Sequence, residues 1–235
     1  MACRVCIAHY LSDCSITFEK TPSDYAILKI HTLPGESGGD TLWASAYEAF
    51  DKLSPAYKTF LEGLTAVHDA THFKVIADRF GKPIRSIERG APDNHGLDLV
   101  AVHPVIRTNP VTGWKGLFVN RGYSLTYWGI VNLRFTKRIV ELTKDESDDV
   151  LEYLFRHVAE NHDLQVRFKW NKNDLAIWDN RSSYHTATYS LYLAMLMCSE
   201  DYDNIRTGDR VVSLGETPYF DKNSKSRREA LAATA

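Results

Sequence analysis

Residues 170–189, WNKNDLAIWDNRSSYHTATY, constrain the fold of this chain more than any other stretch. Asn171 to Asp174 read as a polar turn and Leu175, Ile177 and Trp178 as a short buried strand. Asn180 to Ser183 read as a second turn that delivers His185 at its far end, at a strand margin. Turns this close together leave room only for short strands folded back on one another. A single histidine so placed would, with no further context, be a core or surface residue hydrogen-bonded to backbone.

The context is a longer pattern. Trp178, Asp179, Asn180, Arg181, His185, Ala187 and Thr188 spell W-D-N-R-x-x-x-H-x-A-T. Further blocks stand at Leu33-Pro34, Gly38-Gly39-Asp40-Thr41-Leu42-Trp43, His103-Pro104-Val105-Ile106-Arg107-Thr108-Asn109-Pro110, Leu117-Phe118-Val119-Asn120 and Pro218-Tyr219-Phe220-Asp221. Together these resemble the taurine dioxygenase family, the TauD/TfdA-type iron(II) and 2-oxoglutarate-dependent oxygenases, and especially their sulfonate dioxygenase branch. The resemblance covers most of residues 16 to 230.

A non-haem iron oxygenase needs two imidazoles and one carboxylate on one face of the metal. The resemblance implies that His185 is the second imidazole ligand of Fe(2+), with 2-oxoglutarate as co-substrate. The far carboxylate of 2-oxoglutarate calls for a buried cation with a planar fork, which arginine supplies better than lysine. By the match, Arg206 grips that carboxylate, Thr41 donates its hydroxyl, and Arg210 faces the substrate. On spacing alone Arg206 and Arg210 read as surface arginines beside Asp203 and Asp209, and only the flanking match assigns them otherwise. The implied reaction uses O2 to hydroxylate a small taurine-like sulfonate at the carbon beside sulfur, so that sulfite leaves. An arginine accepts a sulfate ester or a carboxylate equally well.

The sequence departs from the family pattern in three places. The family's first two ligands lie in an H-x-D motif just before I-T-F-E; here Ile16-Thr17-Phe18-Glu19 is intact, but Asp13, Cys14 and Ser15 precede it. His9 or Asp13 would have to substitute, at the wrong spacing. The family's upstream segment is also missing, which leaves a barrel edge unpaired. Apolar insertions interrupt the match at residues 123–134 and 190–200, and deleting the second restores the family spacing between His185 and the arginines. These insertions and residues 1–15 read as translated intron or misassigned exon sequence, the alternative being lineage-specific loops and a diverged start. A second functional reading is therefore a catalytically dead jelly-roll remnant that binds a small anion. A third is a partner-binding module that uses its exposed apolar insertions.

Bulk properties fit one soluble domain over residues 1–235, at 44% hydrophobic and 25% charged. A formal net charge of -2 gives no basic footprint for nucleic acid. Cys3, Cys6 and Cys14 crowd the start, but a structural zinc site needs a second pair, and Cys198 is distant. Residues 190–200 fall short of the roughly 20 that span a bilayer. No secretory leader is read, so a cytoplasmic setting is expected. The expected partners are a small anionic substrate and O2, with no nucleic acid and no membrane; a homo-oligomer is left open.

In chain order, Tyr25 to His31 alternate as a strand. Ala44, Tyr47, Phe50 and Leu53 share one helix face, and Ser54-Pro55 start a second helix carrying Ala56, Phe60, Leu61 and Leu64, with these aromatics in the core. Residues 79–97 read as a surface loop, a candidate lid. Leu97–Val102 and Lys115–Asn120 are expected strands separated by the Asn109 to Gly113 turn. Thr143 and Glu146 form a capping box for a helix to His157 with an apolar stripe of Val150, Leu151, Leu154, Phe155 and Val158. Strands follow at Gln165–Trp170 and Arg210–Leu214, then a polar tail. The fold class expected is mainly β with helical insertions (α+β). The resemblance sharpens it to a double-stranded β-helix, a jelly roll of the clavaminate synthase-like kind, incomplete at its N-terminus.

Overall fold

The structure is a computed structural model that describes residues 16–33, 39–79, 81, 84–121, 124–126, 129–131, 135–188 and 206–234. The expectations placed on residues 1–15, including His9 and Asp13 as substitute ligands, and on residues 190–200 lie outside the described residues. In chain order the elements are β1 (Ser23–Thr32), β2 (Thr41–Ser45), α1 (Ala46–Asp51), α2 (Pro55–Leu61), β3 (Thr65–Asp69), α3 (His72–Arg79) and β4 (Val100–Pro104). Next come β5 (Ile106–Thr108), β6 (Lys115–Leu117), β7 (Ser124–Thr126), β8 (Gly129–Val131), β9 (Thr136–Ile139) and α4 (Lys144–Ala159). The chain closes with β10 (Gln165–Phe168), β11 (Leu175–Asp179), β12 (Ser183–Ala187), β13 (Thr207–Leu214) and α5 (Arg227–Ala232). Strands thus predominate over helices, as the alternation and turn spacing lead one to expect.

Two antiparallel sheets frame the site. One has the order β11-β1-β13 and the other β10-β2-β12. Because side chains alternate along a strand, β1 buries Ala26, Leu28 and Ile30 while Tyr25 and Ile27 face outward. The register carries that division across the sheet: Trp178 opposes Ala26, and Arg210 and Gly208 oppose Leu28 and Ile30, on the inner face. In the second sheet His185 opposes Trp43 and Ala187 opposes Thr41. The two inner faces meet through Trp43 and Trp178, whose ring centroids lie 5.5 Å apart. Trp170, Trp178 and the inner residues of β1 make the buried cluster between them.

The larger core lies behind the second sheet. Leu151, Leu154 and Phe155 of α4 pack with Ile139, Leu117, Phe50 and Leu61. Each such side chain withdrawn from water contributes about 1.5–3 kcal/mol. Helix α4 starts where the capping box requires: Glu146 Oε2 accepts from the Thr143 amide at 2.9 Å and its hydroxyl at 2.7 Å. Ser54 accepts from the Tyr57 amide at 3.2 Å and Pro55 opens α2. No described helix is long and apolar enough to cross a membrane.

Several expectations change. Leu175 and Ile177 are exposed, at 55% and 62%, because the inner face of β11 takes Trp178 and leaves them on the outer one. Ala44 belongs to β2, since Ser45 caps α1 by accepting from the Glu48 amide. Phe60 is 42% exposed, on the outer side of α2, so not every aromatic of the two helices is core. Residues expected as strand at Leu97–Val102 and Lys115–Asn120 are ordered as strand over Val100–Pro104 and Lys115–Leu117, and β3, β5, β12 and α3 were not anticipated. The polar tail forms the capped helix α5, with Ser226 accepting from the Glu229 amide at 3.2 Å. Of the 123–134 insertion the described parts, β7 and β8, pair antiparallel with each other.

Candidate functional site

Thr41 stands at the start of β2, two residues after Gly39, which takes φ +76° as the close turn requires. Its hydroxyl oxygen is buried and accepts two hydrogen bonds, from Trp170 Nε1 at 2.9 Å and from Arg206 Nη2 at 3.3 Å. With both lone pairs engaged, the hydroxyl proton is left to donate outward. The sequence thus assigned Thr41 a donor role, and the structure shows what orients it.

Arg206 is 7% exposed, next to β13, and its guanidinium lies 5.3 Å from the Trp170 ring. Burial lowers its pKa to about 10, against the opposing influence of Asp40, so it remains a cation at neutral pH. Asp40 itself is paired with Arg167, at 2.7 Å. Arg206 Nε is buried without a hydrogen-bond partner among the described residues. A buried guanidinium in this condition is an incomplete site, because an unsatisfied charged donor costs more than the bond it lacks.

Arg210 lies two alternations further along, past Gly208, over Trp178 at 5.5 Å. Its Nε and Nη2 are also buried and unpartnered among the described residues. Two guanidinium groups, one just before β13 and one on it, therefore hold buried donors beside the tryptophans between the sheets. Asp209, between them, faces the other way and pairs with His31 at 2.8 Å. The surface reading of this pair does not describe Arg206.

His185 lies in the middle of β12, paired with Trp43, and not at a strand margin. The misplacement came from reading Ser183 as turn, whereas its strand pairs with Ser45 on β2. The imidazole packs on Trp178, with ring centroids 4.9 Å apart, on the face that carries Thr41 and the tryptophans. The W-D-N-R block secures this wall. Trp178 Nε1 donates to Asn180 Oδ1 at 2.8 Å, and Asn180 Nδ2 donates to Ser23 Oγ at 3.0 Å. Arg181 clamps Asp179 through Nε at 2.9 Å and Nη2 at 3.0 Å.

Trp43 and Trp170 have no role assigned from the sequence, yet Trp170, packed on Trp43, is the surface against which Arg206 and Thr41 are set. The available signal was Trp170's place at the end of a strand that pairs with Thr41's. A second unforeseen group is Arg107, 2% exposed, which donates to Glu216, itself shared with Arg181. An apolar cleft of about 180 Å³ lies against β2, β12 and α4. Its lining of Leu42, Ala44, Phe155, Val158 and Tyr184 extends to Trp43, Arg121 and His185 but does not include Thr41, Arg206 or Arg210.

The metal set is a different matter. Among the described residues no group of three His, Cys, Asp or Glu side chains could hold a metal ion. His185 is the family-type ligand they contain, and the sequence has Asp13 and Ser15 where the H and D of H-x-D would fall. The described residues do not make a three-ligand iron site.

A family model described as "Taurine catabolism dioxygenase TauD, TfdA family" matches residues 12–192. The chain is 45% identical over 222 residues to an alpha-ketoglutarate-dependent dioxygenase, btcD, of Neocamarosporium betae, covering 92% of this chain and 58% of that protein. It is 36% identical over 172 residues to an alpha-ketoglutarate-dependent sulfonate dioxygenase of Saccharomyces cerevisiae, covering 73% of this chain and 36% of that one. Among solved structures, a taurine dioxygenase from Burkholderia xenovorans aligns with a TM-score of 0.63 at 28% identity, over 90% of this chain and 58% of the other. The chain thus spans just over half the length of btcD and of the Burkholderia enzyme. Arg206 and Arg210 lie beyond the residues that the family model matches, Arg206 just before and Arg210 on the strand that pairs with β1. A match over residues 12–192, joined to these identities, places this chain in the TauD, TfdA family.

Proposed function

We propose that this chain carries the 2-oxoglutarate and sulfonate-binding part of an Fe(II)/2-oxoglutarate-dependent dioxygenase built on a double-stranded β-helix. The observation that carries the reading is the pair of arginines, buried Arg206 joined to Thr41 and half-buried Arg210 four residues on, with buried guanidinium donors unsatisfied among the described residues. A dicarboxylate supplies the missing acceptors for Arg206, and the Thr41 proton is directed to it. A sulfonate supplies them for Arg210. Trp43, Trp170 and Trp178 keep water from both, which strengthens each charge-assisted bond.

The overall reaction balances as follows. 2-Oxoglutarate loses carbon dioxide and becomes succinate with one atom of dioxygen; the other atom enters the C–H bond beside sulfur, and the hydroxysulfonate releases sulfite to leave an aldehyde. Iron would supply the oxygen chemistry, with His185 as one ligand and two others that the described residues do not contain. The yeast relative named as a sulfonate dioxygenase supports the substrate class.

A second reading, binding of a small anion without turnover, is favoured by the incomplete metal set among the described residues. Succinate formation from 2-oxoglutarate under Fe(II), ascorbate and air separates the two. Stoichiometric succinate and sulfite from taurine bear out the oxygenase; 2-oxoglutarate binding with no succinate leaves the anion-binding remnant.

A further inference from the structure

Strand β13 is fastened to the W-D-N-R segment at two places, although β1 lies between β13 and β11 in the sheet. The first fastening is Arg210, whose guanidinium lies 5.5 Å from the Trp178 ring. The second is Glu216, just past the end of β13, whose Oε2 accepts from Arg181 Nη1 at 3.4 Å. Arg210 reaches over β1 from its place opposite Leu28. Glu216 does so beyond the start of β1, where the Gly215 amide donates to the Pro22 carbonyl at 3.3 Å.

A second arginine holds Glu216 in place. Arg107 on β5 is 2% exposed and donates from Nη2 to Glu216 Oε1. Its Nε and Nη1 have no partner among the described residues, so moving Glu216 away would leave a buried cation uncompensated. Arg181, 5% exposed, takes the other oxygen of Glu216 and in turn grips Asp179 through Nε at 2.9 Å, Nη2 at 3.0 Å and its own amide at 2.8 Å. Asn109 Nδ2 adds a further bond to Asp179 at 3.3 Å. Positive and negative groups therefore alternate from Arg107 through Glu216 and Arg181 to Asp179.

The network ends on the platform of one arginine. Asn180, between Asp179 and Arg181, accepts from Trp178 Nε1 at 2.8 Å. It is pinned to β1 by its amide, which donates to the Asp24 carbonyl at 2.6 Å, and by Nδ2, which donates to Ser23 Oγ at 3.0 Å. The Trp178 ring cannot turn without breaking its bond to Asn180, and Arg210 lies over that ring. The other arginine is supported differently: Arg206 lies 5.3 Å from the Trp170 ring and donates to Thr41 at 3.3 Å. Glu216 is also six residues from Arg210 but ten from Arg206, and a strand advances about 3.3 Å per residue.

We propose that Glu216, Arg181 and Arg107 are positioning residues for Arg210, fastening the end of β13 to the turn that fixes Trp178 so that the Arg210 guanidinium is set for the substrate anion. The proposal rests on the reading of Arg210 as the group that faces a sulfonate. It separates the two anion seats: the network governs the one at Arg210 and not the one at Arg206.

Titration calorimetry of the metal-free full chain tests it through two affinities, that for 2-oxoglutarate alone and that for taurine with 2-oxoglutarate saturating. Glu216→Gln keeps the size of the side chain and an acceptor for Arg107 but removes the charge shared with Arg181. It is expected to weaken taurine by about tenfold while 2-oxoglutarate stays within about twofold. Arg181→Lys, which keeps the charge and loses the planar fork, gives the same selective loss. Arg210→Gln weakens taurine by itself, and adding Glu216→Gln to it changes taurine affinity by less than about twofold, because the network acts through Arg210. A network that served the fold alone would give additive losses.

If taurine does not bind the parent, or binds Arg210→Gln as tightly, the sulfonate reading falls and takes the proposal with it. If Arg210→Gln loses taurine while Glu216→Gln and Arg181→Lys keep it, the positioning proposal is overturned alone. Equal losses of taurine and 2-oxoglutarate, or additive losses in the double variant, would show that the network holds the fold rather than Arg210, and would also overturn the proposal.

Discussion

Buried histidines set the pH behaviour expected of this chain. His68 and His103 lie with ring centroids 5.2 Å apart, and both are essentially inaccessible to solvent. Burial pushes His103 down to about 4, against its bonds to the Glu19 and Thr17 carbonyls and with repulsion from Arg107 acting alongside. His68 is also held well below its ordinary value, by burial and then by His103. Between about pH 4 and 6.5 the unfolded chain takes protons that folded His103 refuses, so stability is complete above that window and is lost as pH falls through it. For His103 alone the loss by pH 5 is about 2 kcal/mol. Urea unfolding midpoints should fall between pH 7 and pH 5, and His103→Gln should flatten the dependence; equal midpoints in the parent at both pH values would contradict this. Neither histidine was singled out from the sequence, because nothing in H-P-V-I-R or V-H-D says that the imidazole is buried. Thr41 and Arg206 were legible through their flanking motifs, whereas Trp170, their shared neighbour, was not.

Strand β13 shows why the arginines stand where they do. Gly208 lies between Arg206 and Arg210 and faces β1, where an added Cβ would come within 2.4 Å of the Lys29 carbonyl oxygen. Neither backbone atom can yield without breaking the β1–β13 pairing. Gly208→Ala should therefore displace both guanidinium groups together, lowering the melting temperature and weakening 2-oxoglutarate binding by tenfold or more; a variant with parental affinity would show that β13 does not set the site. Elements with local signals were readable: the capping box gave α4 within a residue or two, and the alternation of Tyr25 to His31 gave β1. Strand β12 was not, since Ser183-Tyr184-His185 carries no apolar alternation and is ordered by pairing with β2. Helix α5 was missed for a similar reason, its polar surface hiding the Ser226 and Glu229 box.

At the scale of the molecule, the fold places two facing sheets around the candidate site, with a helical core behind one of them. Composition and turn spacing conveyed the class of fold but not which face of β11 is buried, because Leu175 and Ile177 look more like core than Ala176 does. Tyr25, Ile27, Leu175, Ile177 and Val211 consequently share an exposed apolar outer face. The long-range pairing of β1 with β13 brings residues from opposite ends of the chain into one site, and no local pattern could have supplied it. The central claim is that Arg206 and Thr41 form a seat for a dicarboxylate. Titration calorimetry of metal-free chain with 2-oxoglutarate tests it most directly, with Arg206→Lys in parallel. One saturable site is expected, weakened tenfold or more when the planar fork is replaced by a point charge; absence of binding, or equal affinity in Arg206→Lys, would contradict the claim.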